Sequence, residues 1–193
     1  MFTGIIKDTA KIQEKKRSSD GIKMTLNGSE IFEEAEKGES ISVNGTCLTV
    51  EKTIEDSAEF YVMDETLDKT SFSDLEKGSL VNIEPALRPT DKMGGHIVQG
   101  HVESTSEIIH IDKGEESWTI RFSLPQKLSP YIVRKGFIAV EGISLTVTET
   151  EESWFEVDLI PETIKATNIS EKRRGSAVNL ETDITARYIE KMV

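Results

Sequence analysis

Cys47 is the one thiol in the 193-residue chain, within Val43-Asn44-Gly45-Thr46-Cys47-Leu48-Thr49-Val50. A cysteine in such a stretch is either a small buried hydrophobe on a strand or a nucleophile, which needs a lowered pKa or a neighbouring base. His96 and His101 stand in Gly94-Gly95-His96-Ile97-Val98-Gln99-Gly100-His101. Each is either a hydrogen-bonding side chain at a domain junction or an acid/base group active near neutral pH. Their odd separation sends them to opposite faces of a regular strand, which argues against a shared metal. With 3 histidines and 1 cysteine, no zinc-binding spacing exists. Glu65-Thr66 and Glu162-Thr163 begin predicted turns. They either cap short helices or supply polar groups at a barrel mouth that grip a polyol or heterocycle.

The stretch around Cys47 returns as Val140-Glu141-Gly142-Ile143-Ser144-Leu145-Thr146-Val147, 97 positions on, as 144 is from 47. The same offset carries Glu65-Thr66-Leu67 onto Glu162-Thr163-Ile164, and Thr70 onto Thr167. It also carries Gly78, Ser79, Val81, Asn82 and Glu84 onto Gly175, Ser176, Val178, Asn179 and Glu181. Blocks that hold one offset mark an internal duplication. Ser144 stands where Cys47 does, so both copies put a nucleophile-capable side chain at one place. Phe2-Thr3-Gly4 aligns with Val98-Gln99-Gly100 at an offset of 96, the difference between 100 and 4. A one-residue indel therefore separates each opening segment from the rest of its copy.

The elements that must position these residues are short. An opening strand is predicted over 2–12, a polar turn over Lys15–Gly21 and a returning strand over 22–26. Ser29 caps a short helix through about Glu36, which Gly38 stops. Strands near 40–44, 46–54 and 58–64, a helix or turn over 65–77 and a strand at 79–84 follow. Pro and Gly mark 85–95 as a linker, and the second copy begins at about His96. It carries strands near 117–123, 137–140, 143–149, 153–159 and 176–181, with a short helix near 126–134. Many short strands, given twice, point to two small closed β-barrels rather than an α/β sheet. Beyond Glu181, Ile184, Tyr188 and Met192 recur at helical spacing with Ile189 beside them, while Arg187 and Glu190 fall outside that stripe. That predicts one amphipathic helix with no counterpart in the first copy. The expected division is 1–90, 91–182 and 183–193.

Composition bounds the function. A formal net charge of -12 argues against nucleic-acid or anionic-membrane binding, which need a basic face. No apolar run approaches the roughly 20 residues that span a bilayer, and Met1-Phe2-Thr3-Gly4 does not read as a signal peptide. A lone cysteine excludes an internal disulfide and fits a reducing compartment, so a cytoplasmic location is expected. The glycine-rich stretch at 94–100 does not follow strand–turn–helix order, and no dinucleotide or phosphate-loop site is expected from it.

Taken together, Met1-Phe2-Thr3-Gly4-Ile5, the Cys47 stretch, Gly94-Gly95-His96-Ile97-Val98 with Gly100-His101-Val102, and Gly142 with Ser144-Leu145-Thr146-Val147 resemble riboflavin synthase of the alpha-chain type, a superfamily that includes lumazine protein. The resemblance runs from residue 1 into the C-terminal helix. It implies an all-β fold of two tandem six-stranded Greek-key β-barrels plus a C-terminal α-helix. It implies an enzyme that moves a four-carbon unit between two molecules of 6,7-dimethyl-8-ribityllumazine, giving riboflavin and 5-amino-6-(D-ribitylamino)uracil. No cofactor and no metal are implied. The first pocket would comprise Cys47, Leu48 and Thr49 with Tyr61, Val62, Met63, Asp64, Glu65 and Thr66. The second would comprise Ser144, Leu145 and Thr146 with Asp158, Leu159, Ile160, Pro161, Glu162, Thr163 and Lys135. Gly4, Ile5 and Ile6, and Gly100, His101 and Val102, would reach across to complete them, with His96 also binding substrate. Ser40, Cys47, His101, Ser144 and Asp183 match positions at or near catalysis. Glu141 departs from the family, whose members mostly carry Asp there, which bears on fine positioning. A homotrimer held partly by the C-terminal helices is the implied assembly, and lumazine synthase is a candidate further partner on which the sequence does not decide. The rival reading is a non-catalytic lumazine or flavin carrier on the same fold. Such carriers lose polar site residues, whereas Cys47, His96, His101, Ser144 and Lys135 are all present.

Overall fold

The computed structural model describes residues 1–192. The first copy folds as six antiparallel strands, β1 (Asp8–Arg17), β2 (Gly21–Asn27), β3 (Ser40–Val43), β4 (Thr46–Ile54), β5 (Ser57–Met63) and β6 (Leu80–Pro85). They close in the order β1-β2-β5-β4-β3-β6. The second copy supplies β7 (Ser104–Lys113), β8 (Trp118–Ser123), β9 (Phe137–Val140), β10 (Ile143–Thr150), β11 (Trp154–Leu159) and β12 (Ala177–Thr182), closed in the equivalent order. Short helices α1 (Ile31–Glu34), α2 (Asp64–Lys69) and α3 (Pro161–Ala166) cover barrel ends, and α4 (Ile184–Met192) ends the chain.

Strand alternation explains both interiors, because every second side chain of a half-buried strand faces the core. Met24, Leu26, Phe60 and Val62 fill one barrel, and Ile120, Phe122, Phe155 and Val157 the other. The duplication extends to irregularities. Bulges interrupt β1 between Ile12 and Glu14 and β7 between Ile108 and His110. They also interrupt β4 between Val50 and Lys52 and β10 between Val147 and Glu149. The first pair keeps the offset of the opening segments and the second that of the core blocks, so the indel lies between them. A bulge bends its strand, and four of them help two short sheets to close.

Several expected boundaries move. The opening strand begins at Asp8, not at residue 2, and runs to Arg17. Phe2 instead forms an isolated bridge with Val98 across the two copies. Lys15, Lys16 and Arg17 are strand residues rather than a turn. Two of their cations find partners outside the barrel, Lys15 Nζ donating to the carbonyls of Phe72 and Leu75 and Arg17 pairing with Asp64, while Lys16 pairs with Glu14 of its own strand. Strand β7 lies outside the expected elements, because Ser104-Thr105-Ser106-Glu107 has too little apolar character to show alternation. The helix expected near 126–134 is a 3-10 turn, Gln126–Tyr131, containing Pro130, which cannot donate a helical hydrogen bond. Ser29 does accept from the Ile31 N–H at 3.3 Å, but the helix it precedes is a single turn.

The barrels meet about a pseudo-twofold axis. Two hairpin turns, Asn44-Gly45 and Glu141-Gly142, abut there so closely that a Cβ on Gly45 would lie 2.7 Å from the Gly142 nitrogen. Around them the amide of Asn82 donates to the Glu141 carbonyl at 3.0 Å, and that of Asn179 to the Asn44 carbonyl at 2.9 Å. The Asn168 N–H donates to Asn82 Oδ1, and the Ser71 N–H to Asn179 Oδ1, both at 2.7 Å. Buried amides are tolerated because they are paired, and here the pairs join the two barrels.

Helix α4 packs differently. It has no buried residue and is held by polar contacts: Arg187 pairs with Glu103 at 3.2 Å, and Tyr131 hydrogen-bonds Glu190. Tyr188, Ile189 and Met192 stay exposed. Among the described residues no helix is long and apolar enough to cross a membrane.

Candidate functional site

Each barrel has a place where two neighbouring strands part. Pairing of β4 with β5 runs from Ile54↔Ser57 to Val50↔Phe60 and stops. Beyond it lie Cys47, Leu48 and Thr49 on one side, and Tyr61 to Thr66 on the other. In the second barrel β10 and β11 pair from Thr150↔Phe155 to Val147↔Val157. Beyond lie Ser144, Leu145 and Thr146, facing Asp158 to Thr163. Where antiparallel strands separate, main-chain donors and acceptors lose their partners and become available to a ligand. The residues expected at each pocket therefore fall on the two walls of one gap.

A strap from the start of the opposite copy closes each gap at its nucleophile-capable residue. The Cys47 N–H donates to the Gly100 carbonyl at 2.8 Å, and the Ser144 N–H to the Gly4 carbonyl at 2.7 Å. Both straps need glycine. Gly4 and Gly100 adopt φ of 75° and 83°, and a Cβ would lie 2.6 Å from that of Ser144 or 2.5 Å from that of Cys47. Gly4 and Gly100 contact the opposite copy, Ile6 packs on the second barrel's core, and exposed His101 follows the Gly100–Cys47 contact.

The straps are anchored by two carboxylates that sequence reasoning registered only as repeat mates. Glu84 accepts from the N–H groups of Thr3 and Gly4 at 2.7 and 3.0 Å. Glu181 accepts from those of Gln99, Gly100 and His101 at 2.6, 2.9 and 2.8 Å. The available signal was an acidic residue kept at the same offset inside an apolar strand.

The two gaps differ in their chemistry. In the second, His96 Nδ1 lies 2.6 Å from Ser144 Oγ, and its ring stacks on Phe137 at 5.1 Å between centroids. The strap places it, since the His96 N–H donates to the Thr3 carbonyl at 3.2 Å. Burial holds the imidazole pKa below its ordinary value, against the pull of the Asp183 carboxylate. A neutral imidazole on a hydroxyl can take its proton. Asp183 itself accepts from the Thr185 N–H and hydroxyl at 2.9 Å, at the start of α4. In the first gap Cys47 is half-buried with Ser42 opposite it on β3, and Ser40 lies opposite Thr49. No side chain among the described residues hydrogen-bonds the Cys47 sulfur.

The expected histidine geometry does not apply, because residues 96–101 are strap rather than regular strand; His96 is buried and His101 exposed. Leu48, Val62, Leu145 and Leu159 point into the barrel cores, so only their main chain can face a gap. Asp64 and Glu65 pair with Arg17 and Lys69, Tyr61 hydrogen-bonds Asp20, and Asp158 takes the Thr119 hydroxyl at 2.7 Å. Met63 and Ile160 are equivalent exposed apolar residues at the starts of α2 and α3, next to Pro161, Glu162 and Thr163. Lys135 is exposed at φ 66°, where the first copy has Gly38 at 94°. No cluster of metal-ligating side chains occurs among the described residues.

A family model described as a lumazine binding domain matches the chain twice, over residues 3–86 and 99–183. Riboflavin synthase of Actinobacillus pleuropneumoniae is 42% identical over 193 residues, covering 100% of this chain and 90% of that protein. The chain belongs to the riboflavin synthase family. The Bacillus subtilis riboflavin synthase is 39% identical with the same coverage, and that of Mycobacterium bovis is 39% identical over 98% of its length. The crystal structure of LumP complexed with 6,7-dimethyl-8-(1'-D-ribityl) lumazine superposes with a TM-score of 0.86 at 26% identity, covering 94% of this chain and 99% of LumP. The LumP complex with riboflavin gives a TM-score of 0.87.

Proposed function

We propose that this protein is a riboflavin synthase, converting two molecules of 6,7-dimethyl-8-ribityllumazine into riboflavin and 5-amino-6-(D-ribitylamino)uracil. The observation that carries the reading is the pair of equivalent gaps, each joining a nucleophile-capable residue of one copy to a strap from the other. A reaction between two copies of one substrate calls for two similar sites. Holding both molecules aligned removes much of the bimolecular entropy cost, up to roughly 7–11 kcal/mol when alignment is good.

The exchange balances without an external oxidant, because the four carbons gained by one lumazine are lost by the other. It needs a base for an acidic ring methyl proton and a group that adds to the partner ring. Ser144 with neutral His96 suits proton removal in the second gap, and Cys47 with Ser40 and His101 suits addition in the first. Asp183 lies close enough to steady charge on His96. Thr49 and Thr146, with Glu65-Thr66 and Glu162-Thr163, line the walls where a ribityl chain would be gripped, and Lys135 adds a cation to the second gap only.

The exposed Tyr188, Ile189 and Met192 on α4 support a homotrimer, since an apolar helix face needs a cover. In such a trimer the first gap of one subunit faces the second gap of its neighbour. A cytoplasmic location and an association with lumazine synthase complete the reading.

Purified protein incubated with 6,7-dimethyl-8-ribityllumazine tests it. Riboflavin and the aminouracil should accumulate in equal amounts over many turnovers. Stoichiometric binding with no product would instead make the protein a lumazine or flavin carrier.

A further inference from the structure

Glu84 and Glu181 follow the core residues Ile83 and Leu180 on β6 and β12 and so face away from the barrel interiors, toward the straps, yet they are buried at 2% and 4% exposure. Neither forms an ion pair among the described residues. Their partners are main-chain N–H groups of the straps, supplemented at Glu84 by the Thr3 hydroxyl at 2.7 Å. Burial pushes both carboxyls up, and those hydrogen bonds pull them back. A buried carboxylate is a poor way to gain stability, yet the duplication carries one at the same place in both copies.

Its placement gives the reason. Glu181 belongs to the second barrel, but the Gly100-His101 strap it grips lies on Cys47 of the first. Glu84 belongs to the first barrel, but the Thr3-Gly4 strap it grips lies on Ser144 of the second. Each strap is one residue thick: the N–H of Gly100 points to Glu181 and its carbonyl to the Cys47 N–H. Movement of the carboxylate therefore passes directly to the far side.

We propose that Glu84 and Glu181 are positioning residues that act crosswise, each setting the geometry of the gap in the other barrel. For catalysis this rests on the reading of the gaps given above. The crossed mechanical coupling does not.

Hydrogen exchange separates the two. In the full-length protein, Glu181→Gln should speed exchange of the Cys47 amide by about tenfold, the equivalent of one weakened hydrogen bond, and leave the Ser144 amide at its wild-type rate. Glu84→Gln should do the reverse. Alkylation of the single thiol by iodoacetamide should likewise quicken in Glu181→Gln and not in Glu84→Gln. In turnover, Glu181→Gln should lower kcat by roughly ten- to a hundredfold, as small misplacements do, but by less than about twofold in a His101→Gln background, because it acts through that strap. Equal loosening at both amides, or loosening on the same-barrel side, overturns the proposal. So does an undiminished kcat loss in the His101→Gln background. If the Gln variants do not fold, Glu181→Asp and Glu84→Asp keep the charge, withdraw it by one methylene and undergo the same exchange measurement. Crossed exchange in the variants together with a wild-type protein that makes no riboflavin would refute the enzymatic reading while leaving the coupling in place.

Discussion

The hydroxyl of Ser144 lies 2.6 Å from Nδ1 of His96, whereas the thiol of Cys47, its repeat mate, takes part in no side-chain hydrogen bond among the described residues. One duplicated position thus carries a hydroxyl paired with a base in one barrel and a free thiol in the other. Divergence at this point is what an unequal reaction between two identical substrates would use.

Its burial makes His96 a source of pH-dependent stability. Burial lowers its folded pKa, so between that value and the unfolded one near ~6.5 the unfolded chain binds a proton that the folded chain refuses. Stability from His96 is full above about pH 6.5 and falls as pH drops towards the lowered value. Urea unfolding of wild type and His96→Gln should give a constant stability difference above about pH 7 that shifts against the wild type in more acidic buffer. A difference flat down to pH 5 would contradict this.

Cys47→Ala should cost turnover more than stability. Removing a half-buried thiol leaves a minor cavity, worth on the order of 1 kcal/mol. Thermal melts and single-turnover rates tell the effects apart. A large drop in Tm with normal turnover in the folded fraction would place Cys47 in the packing instead.

If active sites form between subunits, they can be complemented. Cys47→Ala is one inactive parent, and Ser144→Ala combined with Lys135→Ala the other. Oligomers re-annealed from the mixture should contain intact first gaps facing intact second gaps, and activity should rise well above either parent. Mixed oligomers seen by native mass spectrometry but as inactive as both parents would put the paired site within one chain.

Glu141 sits in the left-handed region at φ 51° and is fully buried. Its carboxylate pairs with Lys172 at 2.8 Å and accepts from the Asn179 N–H and the Asn168 amide at 2.8 and 3.0 Å. Glu141→Ala strands the Lys172 charge and should cost about 3–5 kcal/mol in denaturant unfolding. Glu141→Asp keeps the charge and should cost less. Equal losses would mean that the ion pair is not what holds the turn.

The sequence alone determined the duplication, its two offsets, the short-strand architecture, the amphipathic end helix and the equivalence of Cys47 with Ser144. These are written in local alternation and in repeated spacing, which survive without knowledge of what touches what. It did not show β7, whose polar first half carries no alternation, or that Phe2 to Gly4 lies outside β1. The His96–Ser144 contact joins residues 48 apart, and Glu181 reaches the straps across 80 to 82 positions. No periodicity encodes such distances. They arise only once the second barrel has closed, and docking of the two barrels about Gly45 and Gly142 then adds the contacts in which the Cys47 and Ser144 N–H groups find their acceptors in the other copy. The polar pairing that buried backbone requires is what turned two similar barrels into two different sites.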